Sequence, residues 1–181
     1  MNVVKTDLPG VVLLEPRVFS DDRGFLFESY NRKVFRDATG YAGDFVQDNH
    51  SHSRRGVLRG IHYQIRQPQG KLIRVVTGEV FDVAVDLRRS SPTFGKWAGF
   101  RLSAANNRMA WIPVGFGHAY LALSERVDVL YKTTDYYAPQ HGRTVLWNDP
   151  AIGIQWPLDG KPILNAKDER GALLKQAEVF D

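Results

Sequence analysis

The sequence predicts an all-β protein of the jelly-roll type, with short helices only near its two ends. Its apolar runs are short and are separated by Gly, Pro, Asn and Asp, which is typical of a sandwich or barrel. Several of these runs alternate apolar and polar residues, as a strand with one buried face does. Helical patterns are confined to two short segments.

The strand pattern is clearest between residues 72 and 133. Residues 72–76 are apolar and largely β-branched, Gly78 marks a turn, and the run 80–87 follows. That run places four apolar residues on one face and two carboxylates on the other, namely Phe81, Val83, Val85 and Leu87 against Asp82 and Asp86.

Three more strands are predicted after a turn at Ser91-Pro92: Met109–Ile112, 117–123 and 127–133. Tyr131 lies in the last of them, on the same face as Val129 and Thr133. Short helices are predicted at residues 31–38 and 168–177, and Asp168 suits the N-cap of the second.

With 181 residues, of which 43% are hydrophobic, the chain is expected to form a single domain over residues 1–181. We expect the jelly-roll core at about residues 45–150, with N-terminal strands and a C-terminal helical segment packed on it. Phe25, Phe27 and Tyr30 fit either an apolar contact with another chain or a buried core strand.

Composition narrows the class of protein. No apolar run approaches the roughly 20 residues of a membrane-spanning helix, so no membrane partner is expected. Residues 1–15 lack a signal-peptide pattern and the chain has no cysteine, so we expect a cytoplasmic protein without disulfides. The net charge of +4 is scattered, which does not favour nucleic-acid binding; a few Arg and Lys would equally serve an anionic small substrate.

The densest polar segment, QDNHSHSRRGVLRGIHYQ at residues 47–64, is either a polar loop that leads into a strand or one wall of a pocket. His50 and His52 would point the same way on a strand, as paired metal ligands do. Arg54 and Arg55 follow where further ligands would be needed, so no metal site is predicted.

Four other residues have ordinary structural interpretations when each is taken alone. His62 fits a structural histidine on a strand, and Lys71 fits an exposed lysine at a strand end. Tyr131 fits a core aromatic, and Asp168 fits a helix cap.

Taken together, these segments resemble the dTDP-4-dehydrorhamnose 3,5-epimerases, and the resemblance covers nearly the whole chain. It rests on long motifs in a fixed order: RGFLFESYN (23–31), FVQDNHSHS (45–53), GVLRGIHYQ (56–64), QGKLIRVVTGEVFDVAVDLRRSSPTFGKW (69–97), WIPVGFGHAYLALS (111–124), YKTTDYYAP (131–139) and WNDPAIGIQWP (147–157).

The resemblance implies a cupin-type jelly roll that works as a homodimer without a metal or cofactor. It implies a dTDP-linked 4-keto-6-deoxy sugar as the ligand. The implied reaction converts dTDP-4-dehydro-6-deoxy-D-glucose to dTDP-4-dehydro-L-rhamnose, in dTDP-L-rhamnose biosynthesis, by removing and returning protons at C3 and C5.

The resemblance also implies roles for the matching residues. His62 is the expected general base with Asp168 as its hydrogen-bonded partner, Tyr131 is the acid on the other side, and Lys71 stabilises the enolate oxygen. The nucleotide, pyrophosphate or sugar is expected to contact Arg23, Glu28, Gln47, Asp48, Asn49, Arg59, His118 and Lys167, while Tyr137 stacks on thymine.

Elementary chemistry agrees with these roles. C3 and C5 both flank the C4 ketone, so one site can make both protons removable if it stabilises an enolate. Inversion requires proton removal from one side and return from the other, which calls for a base and an acid on opposite walls. A neutral histidine can accept a proton near neutral pH.

Two features complicate the transfer of these roles. Strict alternation puts Arg59 and His62 on opposite faces of one strand, so we expect a twist or bulge at Gly60. The family usually has an acidic residue five positions before Trp147, where this chain has Gly142. One ligand contact is therefore lost, or replaced by His141 or Arg143.

Three other functions remain open on sequence grounds. The first is an epimerase that inverts one centre of a related dTDP-4-keto-6-deoxy sugar, because the same base can serve either carbon. The second is a non-catalytic barrel that binds a sugar nucleotide. The third is a metal-dependent cupin oxygenase that uses His50 and His52.

Overall fold

The computed structural model describes residues 1–181, and its dominant element is the antiparallel strand, which confirms the all-β prediction. In chain order the elements are β1 (Asn2–Lys5), β2 (Val12–Glu15), β3 (Val18–Asp21), β4 (Gly24–Phe27), α1 (Arg32–Thr39), β5 (Gln47–Arg54), β6 (Leu58–Gln64), β7 (Lys71–Thr77), β8 (Glu79–Asp86), β9 (Trp97–Ser103), β10 (Met109–Ile112), β11 (Phe116–Ala122), β12 (Arg126–Thr133), β13 (Gly142–Thr144) and α2 (Ala166–Glu169).

Two sheets face each other as a cupin-type jelly roll. The six-stranded sheet has the order β1-β2-β10-β7-β12-β5, and the five-stranded sheet has the order β13-β6-β11-β8-β9. Apolar side chains from both sheets, among them Ile73 and Val129 from one and Val80 and Tyr120 from the other, form the largest core cluster. Part of the space between the sheets is therefore filled by a packed apolar core. A pocket can form only in the part where polar side chains line the space instead.

The strands predicted between residues 72 and 133 match the structure to within one residue at each end. The two faces of β8 are also as predicted. Val83 and Val85 pack outward against the C-terminal segment, while Val80 and Ala84 point into the barrel. The carboxylate face of β8 is thus the inner one, and the Asp82 carboxylate is fully buried.

Asp86 ends β8 and organises the turn that follows it. Its carboxylate accepts hydrogen bonds from Arg88 Nε at 2.9 Å and Arg88 Nη2 at 2.7 Å. The hydroxyls of Ser91 and Thr93 each donate to Oδ2 at 2.6 Å. These bonds lower the pKa of the fully buried Asp86 carboxyl to about 2, against the opposing effect of burial.

The N-terminal helix agrees with the prediction, and the C-terminal one does not. Asn31 caps α1 by accepting from the backbone N–H groups of Lys33 and Val34. The predicted helix at 168–177 is wrong, because α2 is a single turn capped by Asn165 and Asp168 lies inside it. The chain is then extended around Ala172, which is hydrogen-bonded on both sides to the backbone of 144–146, before a single 3₁₀ turn at Leu174–Gln176.

A separate hairpin of β3 and β4 projects from the barrel. It leaves Phe19, Phe25 and Leu26 exposed by 55%, 64% and 74%. Tyr30, in contrast, packs on Phe35 and Phe45 at the edge of a core cluster. The N-terminal aromatic residues therefore divide between an exposed apolar surface and the core. No helix of the structure is long and apolar enough to span a membrane.

Candidate active site

Nine of the predicted site residues line one cavity of about 480 Å³ between the two sheets. They are Gln47, Asn49, Arg59, His62, Lys71, His118, Tyr131, Tyr137 and Lys167. The same wall also includes Ser51, Tyr63, Gln64, Gln69, Tyr120, Gly142 and Asn165. Its composition is mainly polar and basic, which suits an anionic ligand.

A bulge in β6 brings Arg59 and His62 to the same cavity. His62 pairs with His118 of β11 and Arg59 pairs with Tyr120, so three steps along β6 match two along β11. Gly60, between them, has φ of +130°, which a residue with a side chain rarely adopts. The predicted irregularity at Gly60 is therefore present, and it explains how two residues of opposite parity face one pocket.

His62 is bound to a carboxylate from the far end of the chain. Its Nε2 donates a short hydrogen bond to Oδ1 of Asp168, whose side chain is fully buried. Asn165 fixes that carboxylate by capping α2 through the backbone N–H groups of Lys167 and Asp168. Because Nε2 is engaged, Nδ1 is the ring nitrogen left to accept a proton.

Burial lowers the pKa of His62 below its usual value, and the hydrogen bond and charge of Asp168 oppose that effect. The neutral imidazole is therefore the dominant form at neutral pH. Asp168 holds the ring in one tautomer and favours the imidazolium that forms when the ring takes a proton.

Tyr131 enters the cavity from the opposite sheet. It lies on the inner face of β12, whereas His62 lies on β6. Burial raises the pKa of its phenol, so the hydroxyl keeps its proton at neutral pH. A proton acceptor and a proton donor thus face one space from two walls.

Lys71 begins β7 and is almost completely buried. Its Nζ lies 3.5 Å from the backbone oxygen of His62, so the side chain reaches across to the other sheet. Burial lowers the pKa of this ammonium to about 8, with Asp82 opposing and Lys167 reinforcing the shift. A poorly solvated cation beside the histidine is well suited to stabilise a developing negative charge.

Tyr137 stands at the mouth of the cavity and is 61% exposed. Its backbone N–H donates to Gln47 Oε1 at 2.9 Å, and Gln47 Nε2 donates to Asn49 Oδ1 at 2.9 Å. Gln64 fixes the same segment through Ala138 N at 2.8 Å. The ring is therefore held by its backbone while its faces remain available.

Besides Asp168, which is buried behind His62, three predicted residues lie outside this cavity in the single chain. Asp48 is on the outer face of β5 and pairs with Lys132 at 2.9 Å. Arg23 lies in the exposed β3–β4 hairpin, where it pairs with Asp21, and Glu28 directly follows that hairpin. Asp48 lies outside the pocket because its side chain points to the face of β5 opposite Asn49. Arg23 and Glu28 lie outside it because the hairpin projects from the barrel.

The pair His50 and His52 also lies on the outer face of β5. Both rings donate to Oδ1 of Asp128, each at 3.0 Å. They therefore face away from the cavity that holds His62 and Tyr131, and no cluster of three potential ligands for a metal occurs in the structure.

Comparison with models of known protein families shows the family to which this chain belongs. The model described as dTDP-4-dehydrorhamnose 3,5-epimerase matches residues 5–176. The chain belongs to this epimerase family.

Individual relatives give the same result. The chain is 59% identical over 180 residues to the dTDP-4-dehydrorhamnose 3,5-epimerase of Pseudomonas aeruginosa, covering 99% of both chains. It superimposes on the epimerase structure from Legionella pneumophila, solved with dTDP-4-keto-L-rhamnose, with a TM-score of 0.96 and 46% identity over 98% of this chain and 94% of that one.

A 3'-monoepimerase from Streptomyces bikiniensis, solved with dTDP-quinovose, is a more distant structural relative. Its TM-score is 0.89, with 37% identity over 93% of this chain and 86% of that one. One fold therefore serves epimerases whose names state different numbers of inverted centres.

Gly142, the position at which the resemblance led us to expect an acidic residue, opens β13 and lines the cavity. A Cβ built at this position would lie 3.7 Å from Lys167 Nζ. Arg143 pairs instead with Glu178 at 2.6 Å, and neither it nor His141 lines the pocket. Neither neighbour of Gly142 therefore supplies the expected contact, and Lys167 lines the cavity without a carboxylate from this position.

Several lining residues of this epimerase were missed by sequence reasoning. Ser51 and Gln64 share strand parity with Asn49 and His62, so alternation could have found them. Asn165 could have been found as an N-cap three residues before Asp168. Tyr120 carried no local signal, because an aromatic residue in an apolar strand is normally core.

Proposed function

We propose that this protein converts dTDP-4-dehydro-6-deoxy-D-glucose to dTDP-4-dehydro-L-rhamnose, a step of dTDP-L-rhamnose biosynthesis. The observation that carries the proposal is the arrangement around one cavity. A His62–Asp168 pair opens from one sheet, Tyr131 opens from the facing sheet, and Lys71 lies buried beside them. Membership of the epimerase family gives that arrangement its substrate class.

Each proton transfer follows from the chemistry of these groups. Nδ1 of His62 removes the proton from the carbon next to the C4 ketone, and the electron pair of that C–H bond forms the enolate. The ammonium of Lys71 stabilises the negative charge on the C4 oxygen. Tyr131 then protonates the carbon from the opposite side. Solvent takes up the proton that His62 has gained and returns one to Tyr131. The same cycle at the second carbon completes the isomerisation without net redox change.

The nucleotide part of the ligand is assigned to the basic rim. Arg59 and Lys167 provide positive charge for the pyrophosphate, and Arg59 is oriented by Ser53 Oγ at 3.1 Å. Tyr137 offers an exposed ring for stacking on thymine. Gln47, Asn49 and His118 supply hydrogen-bonding groups between the rim and the base of the cavity.

We further propose a homodimer in which the hairpin of one copy covers the pocket of the other. Phe19, Phe25 and Leu26 expose an apolar surface that a second copy would bury. Arg23 and Glu28 would then reach the ligand of the partner, which accounts for two expected contacts that the single chain does not make. A monomeric mass in solution would contradict this assembly.

The decisive experiment is turnover of dTDP-4-dehydro-6-deoxy-D-glucose in deuterated water, followed by NMR of the product. We expect solvent deuterium at both C3 and C5 and the L-configured product. Absence of exchange at both carbons, with nucleotide still bound, would instead favour a non-catalytic sugar-nucleotide barrel.

Deuterium at a single carbon would support the second candidate, an epimerase of one centre. The similarity to the Streptomyces bikiniensis 3'-monoepimerase is the observation in its favour. The oxygenase interpretation has no such support, because His50 and His52 lie outside the cavity.

A further inference from the structure

A second histidine–carboxylate pair lies deep in the barrel beside the proposed catalytic groups. Asp82 is opposite Tyr120 in the β8–β11 ladder, and His118 is two residues earlier in β11, so both side chains point inward. His118 Nε2 donates to Asp82 Oδ2 at 2.8 Å. His118 lines the cavity, whereas Asp82 lies behind it and is fully buried.

The Asp82 carboxylate is only half satisfied. No protein group donates to its Oδ1. Asp86, four residues along the same face of the same strand, receives hydrogen bonds at both oxygens. A buried charged oxygen without a donor is destabilising, so a residue kept in this state has a role other than packing.

Lys71 is the cation that the Asp82 charge acts on. Its only hydrogen bond is the 3.5 Å contact with the backbone oxygen of His62. The charged groups that influence it are Asp82 from β8, which favours the ammonium, and Lys167 from α2, which disfavours it. The positive charges of the same two lysines disfavour the imidazolium form of His62. Asp82 is therefore the carboxylate that offsets burial of the Lys71 charge.

We infer that Asp82 is a positioning residue for the epimerase reaction. Through Oδ2 it fixes the ring of His118 at the cavity wall, and its buried negative charge supports the Lys71 ammonium in stabilising an enolate. The inference rests on the proposed function, because it explains how two groups of that same site are prepared for their roles.

The test is the Asp82→Asn variant, which keeps the size of the side chain and an acceptor for His118 but removes the charge. In the wild-type enzyme kcat/KM should fall with pH as Lys71 loses its proton, around its pKa of about 8. In the variant this alkaline limb of the pH profile, the fall in kcat/KM at high pH, should move to lower pH, since the Asp82 charge that raises the Lys71 pKa is gone. Affinity for thymidine diphosphate should stay unchanged.

The matched control is Asp86→Asn, the same substitution on the same face of β8. It should lower the melting temperature and leave the alkaline limb in place. Asp82→Glu, which retains the charge, should also keep the limb near that of the wild type. A limb that stays fixed in Asp82→Asn, or that moves equally in Asp82→Glu, would overturn the inference.

A titration of the Lys71 ammonium by NMR gives the same comparison without turnover. If Asp82→Asn does not fold, the neutral variant Asp82→Ser, with thymidine diphosphate added as a stabilising ligand, takes its place. A lower Lys71 pKa in the neutral variant supports the inference, and an unchanged one refutes it. Failure of wild-type enzyme to exchange protons would instead refute the proposed function.

Discussion

The pocket and the turn after β8 each contain a fully buried carboxylate, and the two are bound in opposite ways. At the turn, Asp86 accepts from Arg88, Ser91 and Thr93, and both of its oxygens are occupied. In the pocket, Asp168 binds His62 through Oδ1, and no protein group donates to Oδ2. The comparison indicates that a carboxylate with hydrogen bonds at both oxygens stabilises the fold. A carboxylate with a single bond to a titratable ring serves proton transfer.

The substitution with the greatest consequence is in the pocket. His62→Ala should reduce proton exchange by roughly 10³-fold, because a positioned base contributes about 10²–10⁴. Stability should fall as well, because both oxygens of the buried Asp168 carboxylate would then lack a protein donor, so exchange is expressed per folded molecule. Exchange is measured by NMR in deuterated water and nucleotide affinity by calorimetry. Near-normal turnover would show that another residue is the base.

At the turn, Asp86→Asn should change stability alone. We expect the free energy of unfolding to fall by about 3 kcal/mol, because the variant loses charged hydrogen bonds at a buried site. Turnover per folded molecule at 25 °C should be unaffected. Chemical denaturation and a turnover assay, run on the same preparation, measure both quantities. A stable variant with impaired turnover would contradict the division between the two regions.

Acid should separate the two regions further. The pKa of Asp86 is about 2 in the folded protein, below its unfolded value of about 3.9, so its contribution is complete above pH 4 and is lost as the pH falls toward 2. This contribution amounts to roughly 2–3 kcal/mol. The stability difference between wild type and Asp86→Asn should therefore shrink over that interval. A difference independent of pH would mean that the carboxylate charge is not what stabilises the turn.

The smallest expected effect is at the mouth of the pocket. Tyr137→Ala should weaken binding of thymidine diphosphate by about 1–3 kcal/mol through lost stacking. Stability should be unaffected because the ring is exposed. Tyr136→Ala is the matched control, since Tyr136 is equally exposed and does not line the cavity. Equal losses in both variants would remove stacking as the explanation.

Much of the fold could be predicted from local pattern. The alternation of β8 correctly separated Val83 and Val85 from Asp82 and Asp86, because strand parity is set within the strand itself. The predicted helix at 168–177 failed because Ala172 makes backbone hydrogen bonds with Thr144 and Leu146. Those tertiary bonds replace the ones a second helical turn would have made.

Local pattern and motif order were enough to predict the strands, the turns, the family resemblance and most of the polar residues of the pocket. Tertiary structure alone decided which of them meet. In β5, Asn49 faces the cavity and His50 faces outward. Both faces of this strand are polar, so alternation alone could not show which face is the inner one. His62 and Asp168 are 106 positions apart, and only the stacking of α2 on the sheet joins them. Periodicity is a property of neighbours in the chain, whereas a site is made by the packing of distant segments.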